Sequence, residues 1–368
     1  MYMNKLYCFI FISCLLSACG KKREISKEGT IITCEQKDVP LRISEFSDKA
    51  FLLPLETSEK SLFGGVDKLV FYDNKIYVLD QKYAAKIMIF DASTGKFISK
   101  IGTIGSGPGE YKSISDFSID EEKKKIYVLT NRHKVITYTL FGDFVHEKNL
   151  GFYADKMEYA KEHFYFICSD IKDDNLIITD AKYHKLISYF SQKEYGANQR
   201  MLIHPLYKKN DEIYYRRFLD NIVYKIDNIV SSVYKINLGK NELQLDGFDK
   251  LSKQELLLEM GKSSCHLKYF VENEDVITYV YFDNNKPVFA LYEKEKNKGN
   301  SCYCETLIDD YYGINMPLLE YEANGNCLVA VVSPIGLKEQ MNDEGKKILE
   351  SYGVTEESNP ILYIIQTH

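Results

Sequence analysis

Residues 101–143 are the stretch that predicts the fold: IGTIGSGPGEYKSISDFSIDEEKKKIYVLTNRHKVITYTLFGD. A glycine-rich loop over 105–111 precedes three short segments, 114–119, 125–129 and 135–140, and a fourth follows over 144–150 after the Gly142-Asp143 turn. The segments are rich in β-branched and aromatic residues, and polar or glycine-containing turns separate them. This stretch therefore predicts one four-stranded antiparallel sheet that is entered through a compact glycine loop.

Weaker copies of the same unit recur along the chain at a spacing of roughly 40 to 50 residues, the size of a four-stranded propeller blade. Six units can be aligned, with predicted strands at 66–72, 76–80, 86–90 and 97–101; the stretch above; 156–160, 163–168, 176–180 and 185–190; 201–207, 212–216, 222–226 and 233–238; 267–271, 276–282, 287–292 and 302–307; and 318–322, 327–333 and 361–366. The sequence predicts an all-β fold, a six-bladed β-propeller of four-stranded antiparallel blades.

The sixth unit lacks an outer strand, whereas an apolar strand at 50–56 has no unit of its own. Pairing this N-terminal strand with the last blade closes the ring and leaves no open sheet edge to promote aggregation. In the glycine loop, Pro108 restricts φ and the glycines allow positive φ, which suits a crossing between blades. A nucleotide-binding loop is disfavoured because no Lys-Ser/Thr pair and no helix follow the glycines.

Composition limits the class of partner. The 368 residues contain 13% aromatic side chains and carry a formal net charge of −6. Nucleic acid is excluded as the main partner because phosphate binding requires a basic face.

The N-terminus has the pattern of a targeting segment. Lys5 precedes an apolar run at 6–16 that is too short to span a bilayer. The run ends in Ser17-Ala18-Cys19, which resembles a bacterial lipoprotein signal, with Cys19 as the lipidated first residue. We expect a signal peptide at 1–18, a lipidated tether at 19–30 and the propeller at 31–368.

Six cysteines remain outside the signal, and Cys302, Cys304 and Cys327 are the closest in sequence. One disulfide with one thiol, or three buried thiols, are both compatible with an oxidising compartment. A zinc site is less favoured because a fourth ligand is missing and the spacing of the pair is narrow.

The glycine loop, with the Ser-Ile-Asp and Lys-Ile-Tyr-Val-Leu segments that follow it, resembles the NHL repeat. The chain as a whole resembles the six-bladed β-propeller lipoproteins of Bacteroidetes-type bacteria, through Pro-Leu-Glu-Thr at 54–57, Gly-Gly-Val-Asp at 64–67 and Asn-Pro-Ile-Leu-Tyr at 359–363. The resemblance implies an envelope protein anchored by lipid. The basic tether weakly favours the periplasmic side of the outer membrane over surface display.

Propeller topology predicts where a ligand site lies. The outer-to-inner crossings and the loops between second and third strands share one face of the disc, and helix-like inserts at 249–261 and 337–353 fall on that face. Arginine beside tyrosine suits carboxylate or sugar ligands. The candidate ligand-binding residues on this face are Lys82, Tyr83, Arg132, His133, Arg216, Arg217, Asp220 and Asn221; a solvated charged rim and inserts that only cover an apolar patch are the alternatives.

No catalytic motif is present in the sequence, and no metal ligands are assigned. The favoured function is a binding or interaction module for a glycan, a peptide or an envelope protein, with no cofactor. The alternative is an NHL-like hydrolase or lyase with a divalent metal such as calcium in the channel, where Asp67, Asp116 and Glu158 lie on or near inner strands. A structural adaptor is a third option.

Overall fold

The structure is a computed structural model, and it describes residues 29–37, 39–169, 174–191, 204–227, 229–245, 251–315 and 317–368. Four sheets of four strands stand alone, and eight further strands form two antiparallel sets within a nine-stranded sheet. We number the six sets as blades 1 to 6 in chain order of their first strands. In blades 1 to 5 the first strand along the chain is the inner strand, and in blade 6, which also takes its outer strand from the N-terminal part of the chain, the inner strand is Leu319–Ala323.

Blades 1 to 3 follow the predicted strand order closely. Blade 1 consists of Lys68–Tyr72, Lys75–Asp80, Lys86–Asp91 and Phe97–Ile101. Blade 2 consists of Ile114–Asp120, Lys125–Thr130, Lys134–Thr139 and Phe144–Asn149. Blade 3 consists of Lys156–Ala160, His163–Ile167, Asp174–Asp180 and Lys185–Ser191.

Blades 4 to 6 differ more from the prediction at their boundaries. Blade 4 consists of Leu206–Lys209, Glu212–Arg216, Ile222–Ile226 and Val230–Asn237, so its inner strand begins later than predicted; residues 201–203 lie outside the described part. Blade 5 consists of Ser264–Glu272, Val276–Asp283, Lys286–Glu293 and Lys298–Tyr303. Blade 6 consists of Leu319–Ala323, Cys327–Val332, Ile361–Thr367 and, from the N-terminal part of the chain, Ser47–Pro54.

The N-terminal strand pairs with the last blade. Ser47–Pro54 runs antiparallel to Ile361–Thr367, from Ser47 opposite Thr367 to Pro54 opposite Ile361. The predicted strand at 50–56 is therefore present, displaced toward the N-terminus. The inner strands of blades 6 and 1 are also in contact.

A second N-terminal strand, Thr30–Gln36, adds a link between two blades that the sequence did not predict. Its first half pairs in parallel with the outer strand of blade 4, and its second half pairs in parallel with the outer strand of blade 5. The two blades therefore form one nine-stranded sheet, in the order given by the pairing. Ile32 is fully buried in this seam, whereas the neighbouring Ile31 is 63% exposed.

The remaining elements are short. One 3-10 turn lies at Ile43–Glu45, and a second lies at Cys304–Thr306. Two-residue strands pair in parallel at Leu41–Arg42 with Leu307–Ile308 and at Thr103–Ile104 with Glu110–Tyr111.

The glycine loop makes a crossing from blade 1 to blade 2. Gly109 has φ +73°, and a Cβ there would lie 2.7 Å from the Phe144 ring. The Glu110 carboxylate accepts a hydrogen bond of 2.8 Å from the Gly107 amide, so a side chain of the loop itself occupies the place of an anion. These contacts explain the glycines through the backbone rather than through a nucleotide.

Both inserts are helical and pack on the core. The first helix, Lys253–Lys262, begins with a capping box between Ser252 and Glu255 and continues past Gly261, the predicted end of the insert. The second insert is two helices, Leu337–Gln340 and Asp343–Ser351, separated at Met341 and Asn342. Leu256 of the first insert and Leu349 of the second are buried in hydrophobic clusters, which favours the interpretation that the inserts cover apolar patches.

Candidate functional site

The predicted ligand residues of blade 1 lie on an exposed loop. Lys82 forms an ion pair of 3.2 Å with Asp67, and its side chain is 71% exposed. Tyr83 is 75% exposed, with its backbone amide donating to Asp80 at 2.8 Å. An exposed pair of this kind contributes little to stability, so this loop is free to contact solvent or a partner.

Arg132 and His133 form a small cluster at the corresponding loop of blade 2. Arg132 has φ +62°, and its Nε donates to Asp155 at 2.8 Å. The guanidinium lies 5.9 Å from the centre of the Tyr153 ring, and the His133 ring lies 5.6 Å from it. The ion pair with Asp155 connects this loop of blade 2 to the segment that leads into blade 3.

The predicted residues of blade 4 are mostly buried. Arg216 donates from Nη1 to the Leu267 carbonyl at 2.8 Å, and burial lowers its pKa to about 10. The Arg217 guanidinium lies 4.7 Å from the Phe190 ring centre. Asp220 accepts from the Tyr224 hydroxyl at 2.6 Å, and burial raises its pKa.

Asn221 completes this group by donating to the Ile236 carbonyl at 2.7 Å and to Glu242 at 2.8 Å. These four side chains tie blade 4 to its neighbours and to its own backbone. The eight predicted residues thus lie on three loops with separate local contacts, and their role in ligand binding stays a prediction.

A central cavity of about 480 Å³ lies elsewhere, and every inner strand contributes to its wall. Its rim includes Tyr72, Glu121, Asp211, Glu274 and Gly325, which stand at or beside the hairpins between first and second strands. Strands alternate in direction along each blade, so these hairpins are on the opposite face from the predicted loops. The cavity therefore opens on the face of the first-to-second-strand hairpins, opposite the face on which the sequence predicted a ligand site.

Lys68 forms ion pairs with two carboxylates on one side of the cavity. Its Nζ lies 3.1 Å from Asp116 and 2.6 Å from Glu158, and all three side chains are largely buried. Ser118 donates to the second oxygen of Glu158 at 2.6 Å. Burial opposes the charged lysine, but the two carboxylates outweigh it and raise the pKa of Lys68. The inner-strand acids noted in the sequence are thus paired with a lysine.

A second ion cluster joins blades 4 and 5. Lys209 and Lys294 lie 3.2 and 2.7 Å from the same oxygen, Oε1 of Glu272. The Tyr234 hydroxyl also donates to Oε1, at 3.0 Å. Burial alone would raise the pKa of Glu272, yet the two lysines lower it below its ordinary value.

Other polar groups of the wall are compensated less completely. Burial raises the pKa of Glu320 to about 7, and burial also raises the pKa of Glu322. Within the part of the chain that is described, Nε2 of His204, the hydroxyl of Tyr207 and Oε2 of Glu272 are buried without a hydrogen-bond partner. Burial, with nearby Lys156, Lys68 and Arg216, lowers the pKa of His204 well below its ordinary value, so the ring is neutral. Unpaired polar atoms around a cavity are the groups that a ligand would satisfy.

The sequence analysis missed this site because it considered the strand order of the inner strands and not the charged side chains that they carry. The available signals were Lys208-Lys209 and the Glu320-Tyr321-Glu322 alternation, both at inner-strand positions. On a strand, residues 320 and 322 point to the same side.

Metal and thiol chemistry are weakly represented. Among the residues that the structure describes, no group of three or more His, Cys, Asp or Glu side chains is arranged to hold a metal ion. Cys302, Cys304 and Cys327 are buried thiols without disulfide bonds. Cys19 lies outside the described residues, and within the described ranges no helix is long and apolar enough to cross a membrane.

Comparisons with known proteins support the fold. A search of curated proteins finds no match. The chain is similar to a solved structure from Bacteroides fragilis NCTC 9343 named "Putative exported protein", with a TM-score of 0.78, 19% identity, and coverage of 92% of this chain and 100% of that one. It is also similar to a member of the DUF4221 family from Bacteroides vulgatus ATCC 8482, with a TM-score of 0.51, 11% identity, and coverage of 87% and 98%.

The blade topology described above, with inner strands around one cavity, is that of a β-propeller. The family model described as "Domain of unknown function (DUF4934)" matches residues 29–366. The chain therefore belongs to the DUF4934 family.

Proposed function

We propose that the protein is a binding module of the bacterial cell envelope, a closed six-bladed propeller that holds its ligand in the central cavity. The observation that carries this proposal is the cavity itself: six inner strands contribute to one space of about 480 Å³, within the range of ligand sites. Its wall holds buried polar atoms without partners among the described residues. The ligand belongs to a glycan, a peptide or an envelope protein.

The proposed location in the cell envelope is supported by the lipoprotein-like signal and by the name of the similar Bacteroides fragilis structure. We infer that Cys19 carries the lipid and that the protein is held at the outer membrane, with the periplasmic side favoured. Thr30–Gln36 runs parallel to the outer strands of blades 4 and 5, and Thr30 lies opposite Tyr234, near the middle of the blade 4 outer strand. The ten residues that follow Cys19, up to Gly29 at the start of the described fold, can span at most about 35 Å.

Hydrogen exchange of the purified full chain, with and without an envelope extract of the native host, tests the binding site. We expect added protection at the inner strands and hairpins around the cavity, at 206–211, 270–275 and 320–325. Protection confined to the loops that carry Lys82, Arg132 and His133 would instead place the ligand on the opposite face and contradict the proposal.

The metal-dependent hydrolase or lyase remains an alternative prediction. Stoichiometric calcium or zinc in the purified protein, with an activity that a chelator removes, would support it over a non-catalytic binding module.

A further inference from the structure

The charges of the cavity wall are unequally compensated. The wall contains the three lysines Lys68, Lys208 and Lys209. Lys68 is paired with Asp116 and Glu158, Lys208 lies 3.2 Å from Glu121, and Lys209 lies 3.2 Å from Glu272. Each lysine of the wall is thus already neutralised.

The carboxylates are in excess. Four acidic residues of the wall have no ion pair with any described residue: Asp211, Glu274, Glu320 and Glu322. Glu274 lies on the blade 5 hairpin, and Glu320 and Glu322 lie on the blade 6 inner strand, so three of the four belong to one side of the cavity. His204 is neutral and adds no positive charge.

An acceptor without a donor supports the same conclusion independently. Glu272 is only 9% exposed and lines the cavity, and its Oε2 has no hydrogen-bond partner in the described structure. A protonated amine carries up to three donors and no acceptor, which matches a wall with surplus acceptors. Tyr321 and Phe270 also line the cavity and present aromatic rings, which attract cations.

We propose that the cavity binds an organic cation, a ligand with a protonated amine or guanidinium group on an aliphatic stem, and that Glu320 and Glu322 are its counter-ions. This inference rests on the proposed function, because it assigns the chemistry of the ligand in the same cavity. A neutral sugar would leave the surplus carboxylates uncompensated, and an anion would add to their repulsion.

The test compares three probes of equal length: diaminopentane, pentanediol and glutarate. Their binding to the purified full chain in detergent is measured by isothermal titration calorimetry. We expect diaminopentane to bind at least about ten-fold more tightly than the neutral diol and the dianion, a difference of about 1.4 kcal/mol.

The variant for this test is the double substitution Glu320→Gln and Glu322→Gln. Glutamine keeps an oxygen that can accept from the Gly325 amide, as Glu322 does at 2.6 Å, so the fold is expected to persist, which circular dichroism checks. We expect the double variant to lose about ten-fold or more in diaminopentane affinity. Glu59→Gln is the control, since Glu59 is exposed and outside the cavity wall, and should bind as the unmodified chain does. Glu274→Gln, at an exposed hairpin, is the second variant if the double variant is misfolded, and it should also weaken binding.

Three results overturn the cation assignment: equal or tighter binding of pentanediol or glutarate, unchanged diaminopentane affinity in the carboxylate variants, or no diaminopentane binding up to about 10 mM. If hydrogen exchange still maps a ligand from the envelope extract to the cavity, only the chemical class fails. If exchange maps nothing there, the proposed function fails with it.

Discussion

Lys68 holds together the side of the cavity where blades 1, 2 and 3 meet. It joins the inner strands of blades 1, 2 and 3 by pairing with Asp116 and Glu158. The sequence placed the two acids on or near inner strands. It did not identify Lys68 as their partner, because Asp116 and Glu158 are 48 and 90 positions away from it in the chain. Such pairing depends on how three blades meet, which local patterns do not encode. The buried charges of Lys68 and Glu320 are therefore the ones to test by substitution.

Lys68→Met is expected to lower the free energy of unfolding by about 3 to 5 kcal/mol, because it leaves two buried carboxylates without a counter-ion. The matched control is Lys82→Met, which removes an exposed ion pair with Asp67 and should cost about 1 kcal/mol or less. Urea unfolding of the full chain measures both. Equal losses in the two variants would show that the Lys68 cluster does not stabilise the fold.

Glu320 predicts a pH dependence of stability. Burial raises its pKa to about 7 from an ordinary 4.5, with the Tyr269 hydroxyl and Lys268 opposing the rise. Between these two values the folded state holds a proton that the unfolded chain has released, so stability falls as pH increases. Glu320→Gln should therefore raise the melting temperature at about pH 8 and have a smaller effect at about pH 5. An effect that is larger at the acidic pH would refute the sign.

Thr30–Gln36 is the element whose role the sequence revealed least. An isolated strand does not identify its neighbours, and this one lies in parallel between two blades whose paired residues are about 200 and 265 positions away. In contrast, the four-strand repeats and the helical insert at 249–261 were predicted from local patterns, because hairpins and helix caps involve residues close in sequence.

Ile32→Ala is expected to destabilise the protein by about 2 to 5 kcal/mol, because Ile32 is fully buried in the seam between blades 4 and 5. Ile31→Ala, on the opposite side of the same strand and 63% exposed, should change stability by about 0.5 kcal/mol or less. Chemical unfolding distinguishes them. Similar small effects of the two substitutions would mean that the strand is not part of the cooperative core.

At the scale of the whole molecule, the β-propeller architecture was predictable from repetition, whereas the position of the candidate site was not. Repeat spacing and strand order come from alternation and turns, which six copies of one unit reinforce. The cavity depends on which side chains converge from six inner strands, such as Glu272 and Glu320, and on how their charges cancel. Loop length instead directed attention to the insert face, where Leu256 and Leu349 pack into apolar clusters.

The proposed anchor gives a prediction for the whole chain. Cys19→Ala should move the protein from the membrane fraction to the soluble fraction, because a lipidated Cys19 is the only attachment proposed. Fractionation followed by immunoblotting measures this, and Cys34→Ala is the matched control that should stay with the membrane. Retention of the Cys19→Ala variant in membranes would refute the lipid anchor.

The most direct test of the central claim is an experimental structure of the protein purified from its native envelope with its ligand retained. We expect ligand density in the central cavity beside Glu320, Glu322 and Tyr207, on the side of the hairpins between first and second strands. Ligand density beside Arg132 and His133 on the opposite face, with the cavity filled by solvent, would contradict it.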